Sequence, residues 1–424
     1  MKLDTIMTKE KEKHIDPRRN WKLGVLIIFM APASNAEWLF DPIARVGWDY
    51  DDNASMSIRT DGEEKISGPV AEASVEMRND GETSYLSLRP MFRSRNYQQD
   101  EYNRDSDDGF VKMRWGRNTQ TNNLSFSGDY ANESVRTAEL ATADFDFESD
   151  PGDIADDDTG RVGLRQRRER LRLLPRWTYQ FSDVSSILTE VNFLDVAYED
   201  QPVETNLYDY TDSRFSFSYR HALSETNIGI FSLTGRSYQT DNIGGDSSGF
   251  GFSAGINRRM SETTQLRALL GVEQTEIDNP TSPEQEDLDP SFVTEVSLLR
   301  QLETTRLLAQ YRQRIAASGR GGLRRRSEVT LSLARDLNEK ISAGIGFRAY
   351  TIDSIQGTTK EQDYVRLTGQ FTWRITPAIS MEAGYIHTLL DRRDLGESAN
   401  SNRFTLWLSY RPLPRGRLRQ ATIF

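Results

Sequence analysis

Between Ser327 and Ala349 the chain alternates strictly, and this alternation limits the fold more than any other feature. Val329, Leu331 and Leu333 alternate with Glu328, Thr330, Ser332 and Ala334. After Asp336-Leu337-Asn338-Glu339, the residues Ile341, Ala343, Ile345, Phe347 and Ala349 alternate with Ser342, Gly344, Gly346 and Arg348. A period of two held over about nine or ten residues, twice, around a polar turn predicts a β-hairpin. One of its faces is apolar and the other polar. The same unit recurs along nearly the whole chain.

Composition decides which β architecture this is. Only 36% of the 424 residues are hydrophobic and 28% are charged, yet 10% are aromatic. Disorder disfavours so many aromatic and β-branched residues. A conventional core of this size needs more apolar material. A membrane β-barrel reconciles both facts, because only the lipid-facing half of each strand is apolar while lumen and loops are polar. The chain has no cysteine, so no disulfide framework or thiolate metal site exists.

The N-terminus reads as an export signal. Lys2, Lys9, Lys11, Lys13, Arg18, Arg19 and Lys22 precede the apolar run Leu23–Ala31, and Ser34-Asn35-Ala36 fits a small-x-small cleavage site. That run is about half the ~20 residues a spanning helix needs. Residues 1–36 are therefore expected to be a signal peptide. Removing their seven Lys/Arg and four Asp/Glu takes the totals of 53 and 64 to 46 and 60, a net of −14. A strongly acidic exported chain is a poor nucleic-acid binder.

The first mature strand is expected around Ala44–Tyr50. Asn79-Asp80-Gly81 is the strongest short hairpin signal. Apolar alternation then continues through Leu86–Phe92, Val111–Trp115, Leu124–Tyr130, Leu171–Phe181, Phe215–Tyr219, Phe250–Ile256, Leu266–Val272, Phe292–Leu298, Leu307–Tyr311, Val365–Trp373, Ile379–Tyr385 and Phe404–Tyr410. The segments near Leu188 and Ile230 alternate poorly. Tight turns near Asp183, Glu225, Glu262, Glu303, Leu337 and Pro377 recur about every 40 residues. A propeller blade has a similar period, but it needs four strands where this chain has two longer ones and a polar loop. The expected fold is an all-β, transmembrane, antiparallel up-and-down barrel of about 18 strands, or 16, over residues 37–411, with a tail at 412–424. Short turns alternate with long loops, and Trp48, Tyr50, Trp115, Tyr130, Trp177, Tyr179, Trp373, Tyr385 and Tyr410 suit interfacial girdles.

If the apolar set faces lipid, the intervening residues face the lumen. The expected pore-lining residues are then Arg45, Arg89, Arg93, Arg114, Arg172, Arg176, Arg220, Arg267, Arg312, Arg314, Arg348, Arg366 and Arg374. Opposing carboxylates are fewer: Asp49, Glu72, Glu76, Asp129, Glu190, Glu273, Glu295, Glu328 and Glu382. A cationic wall favours anion passage. The same arginines also suit a structural role, bracing carboxylates across the lumen.

The segment 131–170 breaks the rhythm, with an acidic half (Asp144 to Asp158) and a basic half (Arg161 to Arg170). It reads as a long charged outer loop or as a constriction folded into the pore. Its acidic run lacks EF-hand spacing, so no metal site is expected. Of the three histidines, neither His221 nor His387 of the mature chain has a serine and a carboxylate at a recognisable motif spacing. No catalytic residue and no cofactor are expected.

The run Val46-Gly47-Trp48-Asp49-Tyr50-Asp51-Asp52-Asn53 and the terminal strand Leu406-Trp407-Leu408-Ser409-Tyr410-Arg411 resemble the β-barrel porin family of proteobacterial exopolysaccharide loci. In architecture the chain is also similar to the alginate exporter, an arginine-lined eighteen-stranded barrel. The resemblance implies a multi-pass protein of the bacterial outer membrane, in contact with its lipid and lipopolysaccharide and inserted by the outer-membrane assembly machinery. It implies a pore or export channel passing an acidic exopolysaccharide or another anionic solute. The alternative is a plugged structural or surface-binding barrel that uses acidic extracellular loops.

Overall fold

The structure, a computed structural model, describes residues 37–56, 64–97, 105–136, 166–199, 207–241, 245–277, 286–287, 289–355, 360–393 and 396–412. The expected signal peptide (1–36), residues 137–165 of the charged segment with its acidic run, and residues 413–424 of the tail lie outside them.

Eighteen long strands run antiparallel in chain order. They are β1 (Trp38–Asp51), β2 (Ile66–Asp80), β3 (Ser84–Arg95), β4 (Ser106–Asn118), β5 (Asn122–Ser134) and β6 (Arg167–Ser182). Next come β7 (Ser185–Tyr198), β8 (Tyr210–Ser224), β9 (Asn227–Thr240), β10 (Ser247–Ser261), β11 (Thr264–Ile277) and β12 (Ser291–Gln301). The last are β13 (Thr305–Ser318), β14 (Gly322–Asp336), β15 (Ile341–Ser354), β16 (Lys360–Arg374), β17 (Ile379–Arg392) and β18 (Glu397–Tyr410). A two-residue ladder, Glu286–Asp287, pairs with the end of β11. β1 pairs with β2 on one side and with β18 on the other, which closes the barrel and leaves no free edge.

The burial pattern is inverted relative to a soluble protein. Phe292, Phe250 and Leu270 are 70%, 67% and 64% exposed, whereas Arg326, Arg366 and Arg348 are 2%, 2% and 3% exposed. Apolar side chains thus form the outer surface and charged ones the inside, the arrangement a closed sheet needs to face hydrocarbon. In the hairpin of β14 and β15, Leu331, Leu333 and Ile345 point outward and Glu328 and Arg348 inward. Asn338 closes its turn, its side-chain oxygen accepting the Lys340 and Ile341 amides at 2.9 Å.

The strands span 11 to 16 residues, longer than the nine or ten expected from alternation. The added residues lie toward the loop end, where the outer apolar signal fades. The charged segment is correspondingly shorter than 131–170, because β5 runs to Ser134 and β6 starts at Arg167. β9 looked irregular because Ile230 points inward, 3% exposed, beside the outward Phe231 and Leu233.

Candidate functional site: the barrel lumen

Ladder register places all thirteen expected arginines on the face opposite the apolar belt. Arg93 binds Glu72 with both Nε and Nη2, at 2.9 and 2.8 Å. Arg45 reaches Glu382 and lies 3.5 Å from Glu72. Arg348 and Arg326 share Glu328 at 2.7 and 3.0 Å. Arg176 pairs with Glu190 and Arg267 with Glu295. Seven of the nine expected lumen carboxylates, all except Glu76 and Glu273, thus meet an arginine, since Arg403 grips Asp49 and Arg170 holds Asp129. Much of the cationic wall is bracing, as charge neutralisation inside a crowded lumen requires.

Five other cations are not used this way. Among the described residues, Arg89, Lys112, Arg172, Arg220 and Arg366 form no ion pair with a carboxylate. Arg366 stacks over Tyr364 at 4.9 Å and donates to Thr388. Arg114 and Arg374 lie exposed toward the short-turn end, where Arg374 donates to the Glu339 carbonyl. Arg312 is half-buried and Arg314 is 7% exposed, level with a tight contact described below.

The loop end of the lumen is filled by apolar clusters that alternation did not reveal. The tip of the β13–β14 hairpin crosses toward β7–β9. There Ile315, Ala317 and Leu323 pack with Val135, Leu194, Val196, Tyr198, Tyr210 and Tyr238. Its backbone is pinned from the far wall. Arg214 and Arg236 donate to the Ile315 carbonyl at 3.0 and 2.9 Å, and Tyr238 donates to that of Ser318 at 2.9 Å. Gly321 turns the tip with φ 79°, a left-handed value natural to glycine.

A second sector is closed by Met56, which packs on Tyr350, Tyr364 and Leu390. Met56 has φ 48°, a conformation non-glycine residues rarely hold without support from packing. In the third sector Arg136, just beyond β5, donates to Asp51 at 2.8 Å and to the Tyr97 hydroxyl at 3.1 Å. Tyr97 in turn donates to Asp49 at 2.8 Å. Burial pushes the Tyr97 phenol up. The Arg136 guanidinium, also buried, is held above its ordinary value by Tyr97, Asp51 and Asp49.

Below these contacts the lumen widens. At the short-turn end small and polar residues, among them Ser342, Gly344, Gln370 and Thr372, line a vestibule of about 430 Å³. Between the two levels Trp407 points inward beneath Arg45, whose guanidinium lies 4.6 Å from its ring. Gly47, directly across the β1–β18 seam, permits this close approach: an added Cβ would lie 2.4 Å from the Leu406 carbonyl oxygen and 2.9 Å from the indole.

The closed antiparallel barrel, its outer belt and its charged interior define a multi-pass integral membrane protein of the outer-membrane β-barrel type. No protein-family model and no curated protein sequence matches the chain. Among solved structures it is similar to OprD from Pseudomonas aeruginosa, with 8% identity over 92% of this chain and 100% of that one and a TM-score of 0.43. It is also similar to OccAB4 from Acinetobacter baumannii (9% identity, 90% and 99% covered, TM-score 0.44). A third is the alcaligin outer-membrane receptor FauA from Bordetella pertussis (11% identity, 87% and 75% covered, TM-score 0.40).

Proposed function

We propose that the protein is a pore or export channel in the outer membrane of a Gram-negative cell, passing an anionic solute, with acidic exopolysaccharide the favoured class. The supporting observation is the cationic remainder of the wall. After most lumen carboxylates are paired, Arg89, Lys112, Arg172, Arg220 and Arg366 still face the lumen without an ion-pair partner among the described residues. Cations spaced along a passage attract an anion at several levels without holding it at one, which conduction requires. The test is reconstitution in planar bilayers. A reversal potential favouring chloride over potassium, and current block by an oligomeric uronic acid from the short-turn side, are the expected results. A cation-selective current would sink the reading.

One observation favours a second reading, a plugged barrel. The packing of Met56, Val135 and Ile315 inside the loop end is buried and apolar, as a permanent closure would be. In that case the reconstituted protein carries no current under any salt gradient.

A further inference from the structure

Three alternate strands end in the same outward pattern. On β10 the outward residues Ile256 and Arg258 are followed by Met260 at a bulge; on β12, Leu298 and Arg300 are followed by Leu302 just past the strand; on β14, Leu333 and Arg335 by Leu337 just past the strand. All three arginines are exposed, and Met260, Leu302 and Leu337 beyond them are 57%, 42% and 57% exposed. Each guanidinium therefore leaves the wall between two apolar side chains. Among the described residues none of the three makes an ion pair or a side-chain hydrogen bond. Glu262 and Glu303 in the turns beyond, and Asp336 at the end of β14, do not pair with them among the described residues.

The three residues also stand level. Leu266 faces Arg258 and Thr264 faces Arg300; Leu307 faces Arg300 and Thr305 faces Arg335. The register thus steps by two residues from each arginine to the next, the stagger that tilted barrel strands need to keep a row parallel to the membrane. Each lies close to its own short turn. Neighbouring arginines are two strands apart, roughly 10 Å at the usual strand spacing. The outward Arg117 on β4 stands alone by comparison, followed by Thr119 instead of an apolar residue.

We propose that Arg258, Arg300 and Arg335 form a strip that binds the phosphate groups of anionic phospholipid in the leaflet facing the short turns. A guanidinium offers a planar fork of donors that fits a phosphate with two hydrogen bonds. The flanking apolar residues hold it at the depth where headgroups meet acyl chains, and its stem lies along the belt. The strip depends on the membrane-spanning placement and is independent of what the lumen passes.

The probe is spin-labelled phosphatidylglycerol against spin-labelled phosphatidylcholine, with full-length barrel reconstituted in phosphatidylcholine vesicles. The fraction of motionally restricted label at the barrel surface is read by electron paramagnetic resonance. At roughly fivefold per basic residue near the surface, the wild type retains phosphatidylglycerol well above phosphatidylcholine. R258Q/R300Q/R335Q brings the two together, R300Q alone loses part of the preference, and R117Q leaves it unchanged. Heat-dependent gel migration shows that each variant is folded, and bilayer conductance reads the pore separately. Equal retention of the two lipids by the wild type overturns the proposal, as does an undiminished preference in the triple variant.

Discussion

Arg236 on β9 donates to the main-chain carbonyl of Ile315 on β13, 2.9 Å away, although these strands share no ladder. The same guanidinium holds Asp212 through Nε and Nη2 at 2.7 and 2.9 Å. One buried cation thus ties a wall strand to a hairpin folded across the lumen. Arg236→Met leaves Asp212 buried without its bidentate partner, a loss of about 3–5 kcal/mol. We expect a lower denaturant midpoint together with larger, less steady single-channel currents. A destabilised variant with an unchanged current would separate the hairpin from conduction.

Arg89, Arg172 and Arg220 are half-buried cations with no ion pair among the described residues. Their joint replacement by Gln therefore changes stability little, by less than about 1 kcal/mol. The reversal potential in a chloride gradient is expected to move toward zero. If it holds its wild-type value, these residues do not set selectivity.

Glu328 works in the opposite direction. It neutralises Arg326 and Arg348 at 3.0 and 2.7 Å. Glu328→Gln keeps the shape and removes the charge, so it costs about 3–5 kcal/mol and strengthens anion preference. Stability from urea unfolding and selectivity from bilayer recordings should move apart in this variant.

Tyr97 gives the loop end an alkaline limit. Its hydroxyl donates to Asp49 and accepts from Arg136, and burial raises its pKa above the usual tyrosine value. A group whose folded-state pKa is raised stabilises fully below the unfolded value, near pH 10, and loses that contribution as pH rises through the folded value. Melting temperature should therefore fall above about pH 10. Tyr97→Phe lowers stability at neutral pH by roughly 1 kcal/mol for the lost hydrogen bonds and flattens the alkaline fall of the melting temperature. Parallel curves for the two proteins would exclude Tyr97 as the titrating group.

Gly47 makes space for Trp407. Gly47→Val drives its Cβ against the Leu406 carbonyl oxygen as well as the indole, so it strains the β1–β18 seam and pushes the indole from beneath Arg45, at about 3 kcal/mol or more for overpacking. The near-ultraviolet circular dichroism of the folded barrel should lose part of its tryptophan signal.

The belt was legible in the sequence because hydrocarbon demands an apolar side chain at every second position, whatever the neighbours are. Strand number, hairpin register and the inward direction of Arg93, Arg348 and Arg366 all follow from that parity. The loop end was not legible. Leu194, Val196 and Tyr210 point inward to meet Ile315, so in sequence they look like belt residues shifted by one. Arg236 and Arg326 were missed because they lie beyond the stretch where the outer face still alternates. Which carboxylate each arginine meets depends on strand tilt and on side chains several strands away, and no local pattern carries that.

The seam between β1 and β18 joins the two ends of the barrel through eight registered pairs, Ala44 with Tyr410 to Asp51 with Arg403. Polar locks bridge it: Arg403 to Asp49, Ser401 to Asp51, and Asn402 to Asp52. These partners stand 350 to 354 residues apart, so every other hairpin can zip from local contacts while this ladder waits for the last strand to arrive. During biogenesis the seam is therefore the natural door of the barrel. Its hydrophilic bolts, Arg403–Asp49 and Ser401–Asp51 on the inner face and Asn402–Asp52 on the outer, are well suited to being drawn last, once the wall has entered the bilayer.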